Sequence, residues 1–235
     1  MRARADTPGG TGPVRAAPTR QWDARQIGRF KPVLFVLGLY PLLRWIWLGL
    51  NDGLSANPVE FLTRSAGVWT FVCLLVTLAI TPLRRLLNQP ALVRLRRMCG
   101  LFAFFYGSLH FLAWVGWDRG FDPRGMVTDI VERPFIAVGL AAFVLMTALA
   151  LTSTQAAMRR LGRRWQRLHR AIYLIGLLAL LHFWWHKAGK NDFFEPVIYG
   201  AVLALLLGSR VVFWWRRRAA AGTNVRAAEP RVRGR

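Results

Sequence analysis

Four histidines, His110, His169, His182 and His186, hold most of the chemistry this chain could do. An imidazole can bind a metal or move a proton near neutral pH. His110 lies in LFAFFYGSLHFLAWVGW and His182 in AIYLIGLLALLHFWWHK. Ionisable groups in such apolar stretches are costly, and are functional candidates for that reason. His110 is 12 residues beyond Met98, about 18 Å along a helix, and His182 is 14 beyond Leu168, about 21 Å. Two imidazoles at nearly one depth are what a bis-histidine haem requires, because the iron takes an axial nitrogen from each side. A hydrogen bond to a neighbouring helix is the alternative for either histidine alone, but it does not account for the match in depth. Gly107, Ser108, Phe111, Leu181 and Phe183 are expected to wall the porphyrin.

His169, in RRLGRRWQRLHRAIY, precedes His182 by 13 residues, about 20 Å along the axis. That separation suits two haems stacked across a membrane. Ideal geometry opposes it, because 13 residues turn a helix to nearly the opposite face. Arg96 also stands 14 residues before His110, where a fourth ligand would be needed. His169 is therefore a second-haem ligand, a quinone or flavin contact, or a surface histidine. His186 adjoins Lys187 and is expected on the solvent side.

The elements that must hold these residues are membrane spans. The hydrophobic residues, 54% of the 235, concentrate in blocks 33–50, 67–86, 98–117, 135–153, 168–187 and 197–215. Each is about as long as a bilayer core requires. The expected fold is an all-α integral membrane bundle of six transmembrane helices. The domain plan is a disordered basic tail over 1–30, the bundle over 31–215 and a second basic tail over 216–235. Block 33–50 follows basic residues as a signal peptide would. It contains Pro41 and Arg44 and lacks a small-x-small cleavage site, so it is expected to stay as a helix.

The net charge of +22 suggests nucleic acid until its placement is read. Segments 1–31, 82–100, 154–170 and 209–235 hold 7, 5, 6 and 8 of the Lys and Arg residues, against 1, 3 and 2 in 51–66, 118–134 and 186–196. That alternation is the positive-inside pattern of six spans with both termini cytoplasmic. No nucleic-acid partner is expected. The bilayer is the partner that the charge pattern implies. Arg94, Arg96, Arg97, Arg163 and Arg164 could hold FMN phosphate or haem propionates, but they equally serve topology and anionic lipid.

Cys73 and Cys99 lack metal-binding spacing and read as small apolar residues. Trp45, Trp47, Trp69, Trp114, Trp117, Trp184, Trp185, Trp214 and Trp215 sit near block ends and read as interfacial anchors. Pro82 and Pro134 read as helix boundaries. A six-helix transporter with a histidine proton relay is a rival reading, weakened because no block has Asp or Glu in its interior. A stand-alone ferric or quinone reductase is another.

The stretches TRSAGVWTF, TPLRRL, LVRLRRMCGLFAFFYGSLHF, ERPFIAVG, ALTSTQAAMRRLGRRWQRLHRAIYL and LLHFWW resemble the MsrQ (YedZ) family, within the wider ferric-reductase-like transmembrane domain family. The resemblance spans roughly residues 30–215. It implies the haem-binding membrane subunit of a periplasmic methionine sulfoxide reductase system. The implied cofactors are haem b, one or two, and FMN. Electrons from the quinone pool would pass outward to a catalytic partner, MsrP, a molybdenum-cofactor protein that repairs oxidised periplasmic proteins. The family's haem histidines carry over onto His110, His169 and His182. The chain would be an electron-transfer subunit of the bacterial inner membrane, not the catalytic subunit.

Overall fold

Backbone N–H and C=O groups find no water in a bilayer core, so a spanning segment must satisfy them itself. The computed structural model, which describes residues 22, 24–189 and 191–228, does so with helices, and no strand occurs among those residues. The elements are α1 (Ala24–Leu50), α2 (Pro58–Leu86), a 3-10 segment Pro90–Leu95, α3 (Arg96–Ala113) and a π-helical turn Trp114–Asp118. They continue with α4 (Pro123–Glu132), α5 (Pro134–Leu151), α6 (Gln155–Leu161), α7 (Arg163–His169), α8 (Ala171–Ala188) and α9 (Phe194–Ala228). Six stretches are long and apolar enough to cross a membrane: Gly28–Leu50, Pro58–Leu86, Pro90–Asp118, Pro134–Leu151, Arg163–Ala188 and Phe194–Arg216. The chain is an all-α, multi-pass membrane bundle. Most of the expected tail 1–30 lies outside the described residues, as does 229–235 of the tail 216–235.

Two antiparallel hairpins form the centre. Helices α2 and α3 pack along their length, and so do α5 and α8. Helix α3 meets α5, and α9 lies against both α8 and α2, which closes a ring of five. Leu78, Ala103, Met146, Ile175 and Leu203, one from each of these helices, meet in the core. Helix α1 stands outside the ring, with 11% of its apolar window buried inside the protein against 39% for α2. Hydrogen bonds to α3 and α2 help to fasten it. The Tyr106 hydroxyl donates to the Gly38 carbonyl at 2.6 Å, and Trp45 Nε1 donates to Ser65 Oγ at 3.0 Å.

Two expectations need correction here. Trp45 is not an interfacial anchor: it is 7% exposed and packs edge-on against Tyr106, which gives its indole N–H a partner in the core. Pro82 is not a boundary: it lies inside α2, four residues before the end. Pro134 does open α5, where its missing N–H costs nothing.

The fifth span is broken. The Thr154 hydroxyl caps α6 by accepting from Ala157 N at 3.1 Å, and Gly162, at φ 49°, turns the chain into α7. The left-handed backbone at this turn is one that a side chain would strain. Helix α7 then ends at His169 and α8 starts at Ala171.

Candidate functional site

The structure brings His110 and His182 together. Their ring centroids are 6.0 Å apart and their planes nearly perpendicular, at 79°. Each is oriented by a backbone carbonyl of the helix it pairs with. His110 Nδ1 donates to the Thr63 carbonyl of α2 at 2.8 Å, and His182 Nδ1 to the Phe135 carbonyl of α5 at 2.7 Å. A carbonyl only accepts, so it fixes the proton on Nδ1 and leaves the Nε2 lone pair for a metal.

A glycine makes each approach possible. In an α-helix the carbonyl of Thr63 also receives the N–H of residue 67, and that of Phe135 the N–H of residue 139. Both residues are glycine. A Cβ on Gly139 would stand 2.6 Å from His182 Nδ1, and one on Gly67 3.1 Å from His110 Cε1. The imidazoles occupy the space where those side chains would be.

The two half-sites repeat one pattern. Carbonyl and histidine are 47 residues apart in each. The offset from Thr63 to Phe135, from Gly67 to Gly139 and from His110 to His182 is 72 residues every time. The same offset relates Phe71 to Phe143, Phe111 to Phe183 and Trp114 to His186, and all six line one cavity. Both glycines were thus within reach of sequence reasoning, through the repeated Leu-His-Phe and the Gly-x-x-x-Phe that recur at this offset.

The cavity has a volume of about 980 Å³ and lies between the two hairpins. Its floor is apolar, with Leu74, Met146 and Ile175 at mid-bundle. Its mouth lies at the end where loop 51–57, the π-helical turn with α4, and residues 191–193 gather, and there the described cations facing it are Arg64, Arg119, Arg133 and Lys187. Each has an acid. Arg64 pairs with Glu60. The buried Asp129 carboxylate meets Arg119 Nε at 2.5 Å and Arg133 Nε at 3.5 Å, and accepts from Trp114 Nε1 at 3.2 Å. The π-helical turn that follows Ala113 begins at Trp114, which faces both the cavity and this carboxylate. Lys187 reaches Asp192 at 2.6 Å and Glu195 at 2.9 Å. Its hydrogen bond holds the Asp192 carboxyl below the usual carboxylate range.

These residues fit an iron porphyrin. Two Fe–N bonds of about 2 Å, plus about 1.1 Å from each nitrogen to its ring centre, call for centroids about 6 Å apart. That is the spacing observed. The phenyl rings supply flat apolar walls, and the rim supplies cations for carboxylates.

The other expected residues divide. Of the expected walls, Gly107, Phe111 and Phe183 line the cavity; Ser108 and Leu181 do not. His186 is not on the solvent side: it is half-buried, lines the cavity and packs on the Phe135 ring at 5.7 Å. One turn beyond His182, it shares that residue's helix face. His169 does not join the pair. Its Nδ1 lies 3.2 Å from the Trp165 carbonyl, its ring stacks on Trp165 at 4.0 Å, and its buried Nε2 has no partner. Arg94, Arg96, Arg97, Arg163 and Arg164 are absent from the cavity lining, so carboxylates held there would meet the opposite end's cations instead. Cys73 and Cys99 are free, half-buried thiols.

Fold and site together define a class: helical membrane proteins that enclose paired histidines between two hairpins. Residues 66–180 match the family described as Ferric reductase like transmembrane component. The chain is 76% identical over 204 residues to the protein-methionine-sulfoxide reductase heme-binding subunit MsrQ of Bordetella pertussis, covering 87% of this chain and 99% of that protein. It is 60% identical over 184 residues to MsrQ of Ralstonia nicotianae, covering 78% and 85%. MsrQ of Herminiimonas arsenicoxydans is 51% identical over 204 residues, covering 85% and 94%. The chain belongs to the MsrQ family.

Proposed function

We propose that this chain is the haem b-binding, electron-transferring membrane subunit of a methionine sulfoxide reductase system. The observation that carries the reading is the pair His110 and His182, set 6.0 Å apart with both Nδ1 atoms committed to carbonyls. His110 and His182 would hold the haem iron through their Nε2 atoms. Haem supplies one-electron chemistry when bound. The chain's own residues orient the imidazoles, exclude water with Phe71, Phe111, Phe143 and Phe183, and set cations at the mouth.

In the same reading the protein sits in the bacterial inner membrane with both termini cytoplasmic, as the Arg-rich segments favour. The cavity mouth then faces the periplasm. Electrons enter from the quinone pool and leave to the catalytic partner, MsrP, with FMN as a further cofactor. The acidic excess of the outer segments favours a partner surface of complementary charge. His169, remote from the pair, is a second-haem ligand, a quinone or flavin contact, or a surface histidine.

Reduced-minus-oxidised absorbance spectra of purified protein test the ligand assignment. Wild type is expected to show a b-type band and the His110→Ala, His182→Ala double variant to lack it. An unchanged band would overturn the assignment. Supplying a quinol with and without the periplasmic partner tests the route: turnover only with the partner supports it, and turnover on ferric chelates alone favours a stand-alone reductase.

A further inference from the structure

Pro82 follows Leu78 by four residues, so the Leu78 carbonyl lacks the N–H that an unbroken helix would give it. Arg210 of α9 replaces that donor, with Nη2 at 2.6 Å from the oxygen. The contact uses little of the guanidinium, which has five N–H groups. Arg210 Nε and Nη1 are buried and have no hydrogen-bond partner. The Tyr173 ring lies 4.9 Å from the same cation. Arg85 Nε is also buried and unpartnered, with its guanidinium 4.7 Å from the Phe213 ring. Phe213 lies three residues after Arg210 on α9, and Leu78 and Arg85 both lie on α2, so the two guanidiniums share one seam between these helices.

Among the described residues no carboxylate answers these two charges: the acids there are Asp52, Glu60, Asp118, Asp122, Asp129, Glu132, Asp192 and Glu195, all at the opposite end of the bundle. Arginine does not shed its proton in a protein, so two half-buried cations with no described anion beside them carry a desolvation cost. Orphaned donors of this kind call for an ion from outside the chain. The guanidinium fork matches a phosphate. Arg210 lies six residues before Arg216, about 9 Å inside the end of its span. A long arginine there reaches toward the headgroup level.

We propose that Arg85 and Arg210 form a recessed site for a phosphate group, carried by a phospholipid headgroup or by a soluble phosphate compound. Neither lines the histidine cavity, so the site is separate from it.

The test uses the full chain purified in a phosphate-free sugar detergent. The thermal unfolding midpoint is followed as phosphatidylglycerol or inorganic phosphate is added. A saturable rise with the lipid alone assigns a headgroup; a rise with inorganic phosphate assigns a soluble ligand. Arg210→Gln keeps an amide donor for Leu78 and loses the charge, so its half-saturating concentration should rise about tenfold or more. Arg85→Gln, which touches no helix carbonyl, should behave alike and serves if the first variant does not fold. Lys31→Gln removes an exposed charge at the same end and should change nothing. No saturable response in wild type, wild-type saturation in both arginine variants, or an equal loss in Lys31→Gln would overturn the proposal.

Discussion

Gly139 and Gly67 do the same job with different margins. A methyl group at 139 would sit 2.6 Å from His182 Nδ1 and must displace the ring, whereas at 67 the nearest atom is His110 Cε1 at 3.1 Å. Overpacking costs about 1–3 kcal/mol, and alanine regains about 1 kcal/mol of helix propensity over glycine. Gly139→Ala should therefore lower stability by about 2 kcal/mol and release bound haem, while Gly67→Ala should be close to neutral. Unfolding midpoints and haem-to-protein ratios of the two variants read this directly, and equal losses would break the ranking. Asp129→Asn removes the carboxylate that two arginines share. Those arginines are partly exposed, so rehydration should limit the loss to about 2 kcal/mol in unfolding stability. Depth counted along two helices was enough to place His110 and His182 level. It could not show that His186 turns inward, because that depends on Phe135 arriving from α5, the other helix of its hairpin.

Helix α1 depends on a few contacts. Tyr106→Phe deletes the hydroxyl that reaches Gly38 and should cost about 1 kcal/mol, read from the thermal midpoint. Because α1 stands outside the ring, the spectrum of the site should not change. A lost band would mean that α1 helps to shape the cavity. The six apolar blocks and the arginine alternation made the spans legible, since hydrocarbon thickness fixes span length whatever the packing. Packing was less legible. Trp45 near a block end reads as an anchor until Ser65 and Tyr106 close around it. The ideal-helix rotation from His169 to His182 assumes a continuous helix, and Arg170 interrupts it between α7 and α8.

The arginine-rich end and the cavity end of the bundle should lie on opposite sides of the membrane. Single cysteines at Asp52 or Phe121, in a Cys73→Ser, Cys99→Ser background, should react with an impermeant maleimide in intact spheroplasts. Cysteines at Asn88 or Gly162 should react only after lysis, and the reverse pattern would invert the topology. The 72-residue recurrence has a consequence at this scale as well. Each hairpin carries a complete half-site of carbonyl, glycine and imidazole, and the chain between Gly120 and Phe121 crosses neither. Severed there, fragments 1–120 and 121–235 should each insert alone, the first with His110 and the second with His182 of the pair, and find each other in the bilayer. The binding pocket would then be a contact between two molecules, and bound haem would report their assembly.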